Sequence, residues 1–322
     1  MATHWPAASR ALACAVLLLA CGELGGDILR STPIDADASS PPAADANSSA
    51  STTAQLDNLL GPWGTVEPPT PIAALASTFN DDDPTATSDL LELYFSSTSN
   101  ANADTIWVSK RAAIGVPWGT PTLVTPLNTT GTENTPEISP DGLTLWFARS
   151  VKGTTTGHDV YVATRPTRTA AWSSGTLVPE LSSSSEDYSP TPSGDGLSMV
   201  LSSYRSPSIG ADDFFASGRP SLTSPWTAPS WVPVLESTAQ ERGPFRPGDD
   251  TLIYFTTWRT GMQIWRATRL DSSNPWDSPS VVSELSPAPN GSKKPWISSD
   301  LRLMYFVIQA PNQPSQLAEV RR

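Results

Sequence analysis

The stretch Glu133-Asn134-Thr135-Pro136-Glu137-Ile138-Ser139-Pro140-Asp141-Gly142-Leu143-Thr144-Leu145-Trp146-Phe147 reads as a strand, a tight turn and a second strand. Pro140 supplies the fixed φ that a type I turn uses, and Gly142 stands where a positive φ costs little. Beyond the turn, Leu143, Leu145 and Phe147 alternate with Thr144 and Trp146, the period of a strand. The frame recurs. A proline precedes an aspartate by five residues at Pro84/Asp89, Pro136/Asp141, Pro190/Asp195, Pro244/Asp249 and Pro295/Asp300. The aspartates are 52, 54, 54 and 51 residues apart, and six residues after each stands Phe95, Phe147, Leu201, Phe255 or Phe306.

Outward from each hairpin the copies stay in register. A third strand reads Ile106-Trp107-Val108, Val160-Tyr161-Val162, Phe214-Phe215-Ala216, Ile264-Trp265-Arg266 and Leu317-Ala318-Glu319. An arginine follows at Arg111, Arg165, Arg219, Arg269 and Arg322, and a tryptophan seven residues after the first four, at Trp118, Trp172, Trp226 and Trp276. Nine residues further, Leu127, Leu181, Leu235 and Leu285 are expected to end a fourth strand. The fifth copy stops at Arg322 without its tryptophan, but Trp63, with Ile72 nine residues later, lies ahead of the first copy. Four-stranded units of about fifty residues with a split last unit predict an all-β, five-bladed propeller closed by its N-terminal strand. A six-bladed ring is the alternative, and residues 56–80 are too few to supply another copy.

Ser139-Pro140-Asp141-Gly142-Leu143-Thr144-Leu145-Trp146-Phe147, followed by Asp159-Val160-Tyr161, resembles the WD-like repeat of TolB-type propellers over residues 63 to 322. Copies one and five have Leu90 and Leu301 in place of the glycine, and copy four inserts Gly248 before Asp249. The resemblance implies a periplasmic or surface propeller that binds proteins, peptides or small molecules. It implies no single reaction, since propellers host enzymes and passive scaffolds alike.

The 322 residues carry a net charge of −12, which makes nucleic acid a poor partner. Both cysteines, Cys14 and Cys21, fall in the first 21 residues, so the propeller is expected to lack disulfides and thiol chemistry. Residues 1–21 form an apolar run after Arg10 that is too short to span a bilayer, ending Leu18-Leu19-Ala20-Cys21-Gly22. That ending resembles the lipobox of bacterial lipoproteins and implies cleavage before Cys21 and its lipidation, with a cell-envelope location. Residues 22–57, rich in Ala, Ser, Pro and Asp, are expected to be a disordered tether, and 58–322 the propeller. The membrane is therefore expected as a partner only through the lipid.

The repeated tryptophans, arginines and turn aspartates are expected to be building parts, so function should sit where the copies differ. Three residues before each proline stand Asp81, Glu133, Asp187, Glu241 and Ser292. The four acids are the candidate binding set at one mouth of the central channel, for a cation or a basic or amine-bearing ligand. The bland reading is that each accepts backbone N–H groups between blades. No cofactor is expected beyond such a cation. Catalysis finds little support, because His158 is the one histidine beyond residue 21 and no Gly-x-Ser-x-Gly elbow occurs. The expected role is a lipid-anchored binding or scaffold module for an envelope protein, a peptide or a small ligand. The alternatives are a carboxylate-based glycoside hydrolase and an inert spacer.

Overall fold

The computed structural model describes residues 52–65, 67–100, 103–151, 157–285 and 291–322. The readings made on residues 1–51, lipidation of Cys21 among them, lie outside the described residues. Each repeat forms one four-stranded antiparallel sheet. Blade one is Asp81–Ala86, Glu92–Asn100, Ala103–Lys110 and Thr122–Leu123. Blade two is Thr132–Ile138, Thr144–Ser150, His158–Thr164 and Thr176–Leu177. Blade three is Asp187–Pro192, Ser198–Ser203, Asp213–Gly218 and Ser230–Trp231. Blade four is Glu241–Phe245, Leu252–Thr257, Gln263–Thr268 and Ser280–Val281. Blade five is Gly291–Ile297, Leu303–Gln309 and Gln316–Arg321, and its outer strand is the N-terminal Glu67–Pro71, pairing Thr70 with Glu319 and Pro71 with Ala318. The ring has the expected five blades and the expected closure. The first strand of every blade faces the common axis.

Second strands are buried on both faces because each blade is sandwiched between two neighbours. That is why Leu145-Trp146-Phe147, Leu252-Ile253-Tyr254-Phe255 and Leu303-Met304-Tyr305-Phe306-Val307 are continuous apolar runs, each residue under a tenth exposed. The fourth strands are shorter than expected. Each pairs over two residues only, after which the chain turns and drops Leu127, Leu181, Leu235 or Leu285 into the space between blades, all at 0% exposure. An outermost strand has one partner, and the chain must leave it to reach the axis of the next blade.

The repeated arginine and tryptophan form one device, copied five times. Each arginine donates Nε to the carbonyl just past the turn aspartate: Arg111 to Leu90 (2.7 Å), Arg165 to Gly142 (2.7 Å), Arg219 to Gly196 (2.8 Å), Arg269 to Asp250 (2.7 Å) and Arg322 to Leu301 (2.7 Å). Its guanidinium then covers the tryptophan ring of the same blade, 4.0–4.5 Å from the centroid at Trp118, Trp172, Trp226, Trp276 and Trp63. Each tryptophan meets the previous blade edge-on at four joints, as Tyr94–Trp172, Trp146–Trp226, Tyr254–Trp63 and Tyr305–Trp118.

The turn aspartates cap as expected. Asp141 accepts the Leu143 N–H (2.9 Å) and the Ser139 hydroxyl (2.6 Å), and Asp89, Asp195 and Asp300 repeat the pattern. The following residue has positive φ in all five copies, with Leu90 at 59° and Leu301 at 58° where Gly142 has 74°.

One expected boundary is corrected. Residues 52–57 belong to the helix Thr52–Leu60, not to a tether, and Asp57 is buried. Its carboxylate takes bonds from Tyr254 Oη (2.6 Å), Arg266 and Arg322, while the Arg322 guanidinium also donates to the Gly61 carbonyl (3.0 Å). A helix too short to stand alone in water is held here by a buried charge cluster.

Candidate functional site

The four acids singled out by sequence do not surround the channel. Asp81, Glu133, Asp187 and Glu241 are 0–2% exposed, and none lines the axial cavity. Each turns back to the loop that enters its own blade. Glu133 accepts from Thr129 Oγ1 (2.6 Å), Asp187 from the Ser183 N–H (2.7 Å), Glu241 from Ser237 Oγ (2.5 Å) and Asp81 from Ser77 Oγ (2.6 Å). Three also bind an arginine of the second strand: Arg149 on Glu133 (3.1 Å), Arg205 on Asp187 (2.5 Å) and Arg259 on Glu241 (3.0 Å). Those arginines reach on to the carbonyls of Leu127, Leu181 and Leu235. The set is a joint between blades, and its members sit apart from one another.

The physical reason lies at the prolines. In every blade the first strand bulges just before Pro84, Pro136, Pro190, Pro244 or Pro295. The residue preceding the proline has positive φ in all five: Asp83 (54°), Thr135 (48°), Ser189 (50°), Gly243 (58°) and Lys294 (56°). The bulge resets which side chains look inward. The axial cavity is lined by these residues, by the prolines and by the residues that follow.

At the end where the first strands begin, the axis is filled by the chain's own cations. Lys294 Nζ lies 2.9 Å from Asp83 in blade one and 3.4 Å from Ser189 Oγ in blade three, and its stem lies against Gly243, where a Cβ would sit 2.6 Å from Lys294 Cδ. Lys293 binds Asp82. Burial raises Asp82 above the ordinary carboxylate range, with Asp83 adding to it. Burial acts on Asp83 too, but Lys294 holds it below that range. Around this mouth the remaining polar groups also satisfy one another. His158 Nδ1 lies 2.7 Å from Glu186 and its ring 4.7 Å from Tyr188; Arg242 binds Asp212 and Tyr204 Oη (2.8 Å). Below Lys294 the prolines pinch the axis to about 30 Å³, room for a water or two.

The other end, beside the Pro-Asp turns, opens into a funnel of about 390 Å³. The residues that follow the five prolines are Thr85, Glu137, Thr191, Phe245 and Trp296, and three of these, Glu137, Phe245 and Trp296, line the funnel with Ile138, Trp146 and Arg246. Glu137 borders both the narrow axis and the funnel. Its carboxyl accepts one bond, from Thr85 Oγ1 at 3.2 Å, and burial pushes it up to about 8. Arg246 is held by Asp250 (2.7 Å) and the Thr191 carbonyl (2.7 Å). The funnel's other carboxylates, Asp141 and Asp195, are occupied by turn N–H groups. The signal for this site was present in the sequence: the residue after each proline is the inward position at which the five copies disagree most in size and charge.

No family model matches the chain, and no curated protein matches it. Among solved structures it is similar to an endo-arabinase from Bacteroides thetaiotaomicron, with 15% identity over 78% of this chain and 96% of that one, at TM-score 0.54. It is similar to an α-L-arabinofuranosidase from Lactobacillus brevis, with 13% identity over 77% of this chain and 92% of that one, at TM-score 0.54. A TolB from Acinetobacter baumannii gives 15% identity over 77% of this chain and 56% of that one, at TM-score 0.46. At these identities the likeness is one of fold, the propeller that the repeat resemblance implied. Among the described residues no helix is long and apolar enough to cross a membrane.

Proposed function

We propose that the protein is a binding module of a bacterial cell envelope, anchored by lipid at Cys21, whose ligand seats in the turn-side funnel. The observation that carries this reading is the funnel itself: about 390 Å³, walled by Trp296, Phe245, Ile138 and Trp146, with one carboxyl, Glu137, at its floor. An apolar concave site with few polar groups is what small ligands and anchoring side chains fill. The ligand class is a flat or apolar body bearing an amine, as in a small aromatic amine or the basic residue of a peptide. Its cation would complete the hydrogen bonding of Glu137 and draw off its proton. An inert spacer has no use for such a cavity. The test is titration of tryptamine and phenethylamine, read by tryptophan fluorescence. Glu137→Gln and Trp296→Ala are each expected to weaken binding at least tenfold, and equal affinity in wild type and both variants would reject the funnel.

Glycoside hydrolysis is the second reading. It draws support from the likeness in fold to the two arabinan-directed enzymes and from the neighbouring pair Asp82 and Asp83, whose environments push their proton affinities apart. Against it, each carboxylate already holds a lysine. The reading requires hydrolysis of arabinan or an aryl α-L-arabinofuranoside, lost in Asp83→Asn; absence of turnover across such a panel removes it.

A further inference from the structure

We propose that the joint between blades three and four binds a calcium-sized divalent cation through Asp213, Glu236 and Glu241. One carboxylate oxygen from each lies within 4.8 Å of the other two, a spread that bonds of about 2.3–2.6 Å to a single ion can bridge. The donor set is all carboxylate, the chemistry of a hard cation and not of zinc or copper.

The hydrogen bonding points the same way. Glu241 is fully buried, and its Oε1 is saturated by Ser237 Oγ (2.5 Å), Thr257 Oγ1 (2.9 Å) and Arg259 Nε (3.0 Å). Its Oε2 is buried with no donor, and so is Oε2 of Glu236. A buried acceptor left without a donor costs about 1–3 kcal/mol, more when it is charged. Asp213, also fully buried, accepts the Ile209 N–H (2.7 Å) and the Gly210 N–H (3.2 Å). Among the described residues, Arg259 is the one cation hydrogen-bonded to the three carboxylates.

The other blades show that this charge is not a building part. Glu236 Oε1 accepts the Phe214 N–H at 2.6 Å. In blade one Asn128 takes the equivalent Ile106 N–H at 2.7 Å, and in blade two Ser182 takes that of Val160 at 3.1 Å. A neutral side chain therefore performs the local task. The second oxygen of Glu236 exceeds that task, and it faces the two other carboxylates.

The test is calorimetric titration of the full chain with CaCl₂, with thermal denaturation in Ca²⁺ and in EDTA alongside. Wild type is expected to bind one Ca²⁺ and to melt at higher temperature when loaded. Glu236→Asn installs the residue that blade one uses. It keeps an acceptor for Phe214 and removes a ligand, so Ca²⁺ affinity is expected to fall at least tenfold while the metal-free melting temperature rises. Asp213→Asn, the second variant, is expected to lose affinity likewise should Glu236→Asn fail to fold. No binding by wild type at millimolar Ca²⁺ overturns the proposal in favour of a proton shared among the carboxylates. Equal binding by wild type and variants overturns it as well, by moving the ion elsewhere.

Discussion

The guanidinium of Arg322 lies 4.0 Å from the ring centroid of Trp63. In blades one to four the arginine and the tryptophan it covers are seven residues apart; here they are joined only by the fold. The last residue and the first tryptophan of the ring thus rebuild across the closure the contact that every other blade makes locally. Asp57 then pins Arg322 from the other side.

Removing that lock should open the ring where it is closed. Arg322→Ala deletes the stack on Trp63 and leaves Asp57 with a buried charge that has lost a partner. Breaking one side of a buried pair costs about 3–5 kcal/mol. The expected outcome is a fall in melting temperature of that order, larger than for Arg111→Ala. Arg111 makes the same stack without a bonded carboxylate. Thermal denaturation of the two variants side by side checks the ranking.

The buried acids should matter for stability and not for ligand capture. Glu133→Gln is expected to lose about 3–5 kcal/mol, because Arg149 keeps its charge in a buried joint. Asp81→Asn should lose less, since Asp81 is held by the hydroxyl of Ser77 (2.6 Å) and no ion pair is formed there. Neither variant should change amine binding in the funnel; chemical denaturation and fluorescence titration on the same samples separate the two effects.

Glu137 gives the fold a pH slope. Its folded-state value is pushed up to about 8 by burial, against about 4.3 for an unfolded carboxyl. Between those values the folded chain holds a proton that the unfolded chain has released, so this group's contribution to stability falls as pH rises through that window and is level above it. Glu137→Gln should flatten the slope and raise the melting temperature at pH 8, which a series of melting curves from pH 4 to pH 9 reads directly. An amine bound in the funnel should reverse the slope over the same window.

Leu301 tests the turn. Its φ of 58° favours glycine, and the repeat has glycine there in copies two and three. Its side chain is nevertheless 1% exposed within the core of blade five. Burying a leucine is worth about 1.5–3 kcal/mol, more than the roughly 1–2 kcal/mol that the left-handed conformation costs. Leu301→Gly is therefore expected to destabilise by about 1 kcal/mol or more, and a stabilising result would show that the strain outweighs the packing.

The sequence by itself determined the blade count, the split last blade and the turn chemistry. Those rest on short-range rules, the alternation of a strand and the φ demands of Pro140-Asp141-Gly142, repeated at spacings that no gap disturbs. It also showed that Arg and Trp recur together, and that function belongs where copies differ. Which side chains face the axis was decided only by the tertiary structure. The bulge before each proline turns Asp81, Glu133, Asp187 and Glu241 into the blade joints and brings Glu137, Phe245 and Trp296 inward. Strand alternation counts two faces and cannot see a bulge that shifts them. The fate of the mouth was likewise a long-range matter: Lys294 reaches across from blade five to Asp83 in blade one, 211 positions away in the chain, and takes the place sequence had left for a cation. Local pattern fixes the blade; contacts between blades fix what the ring can hold.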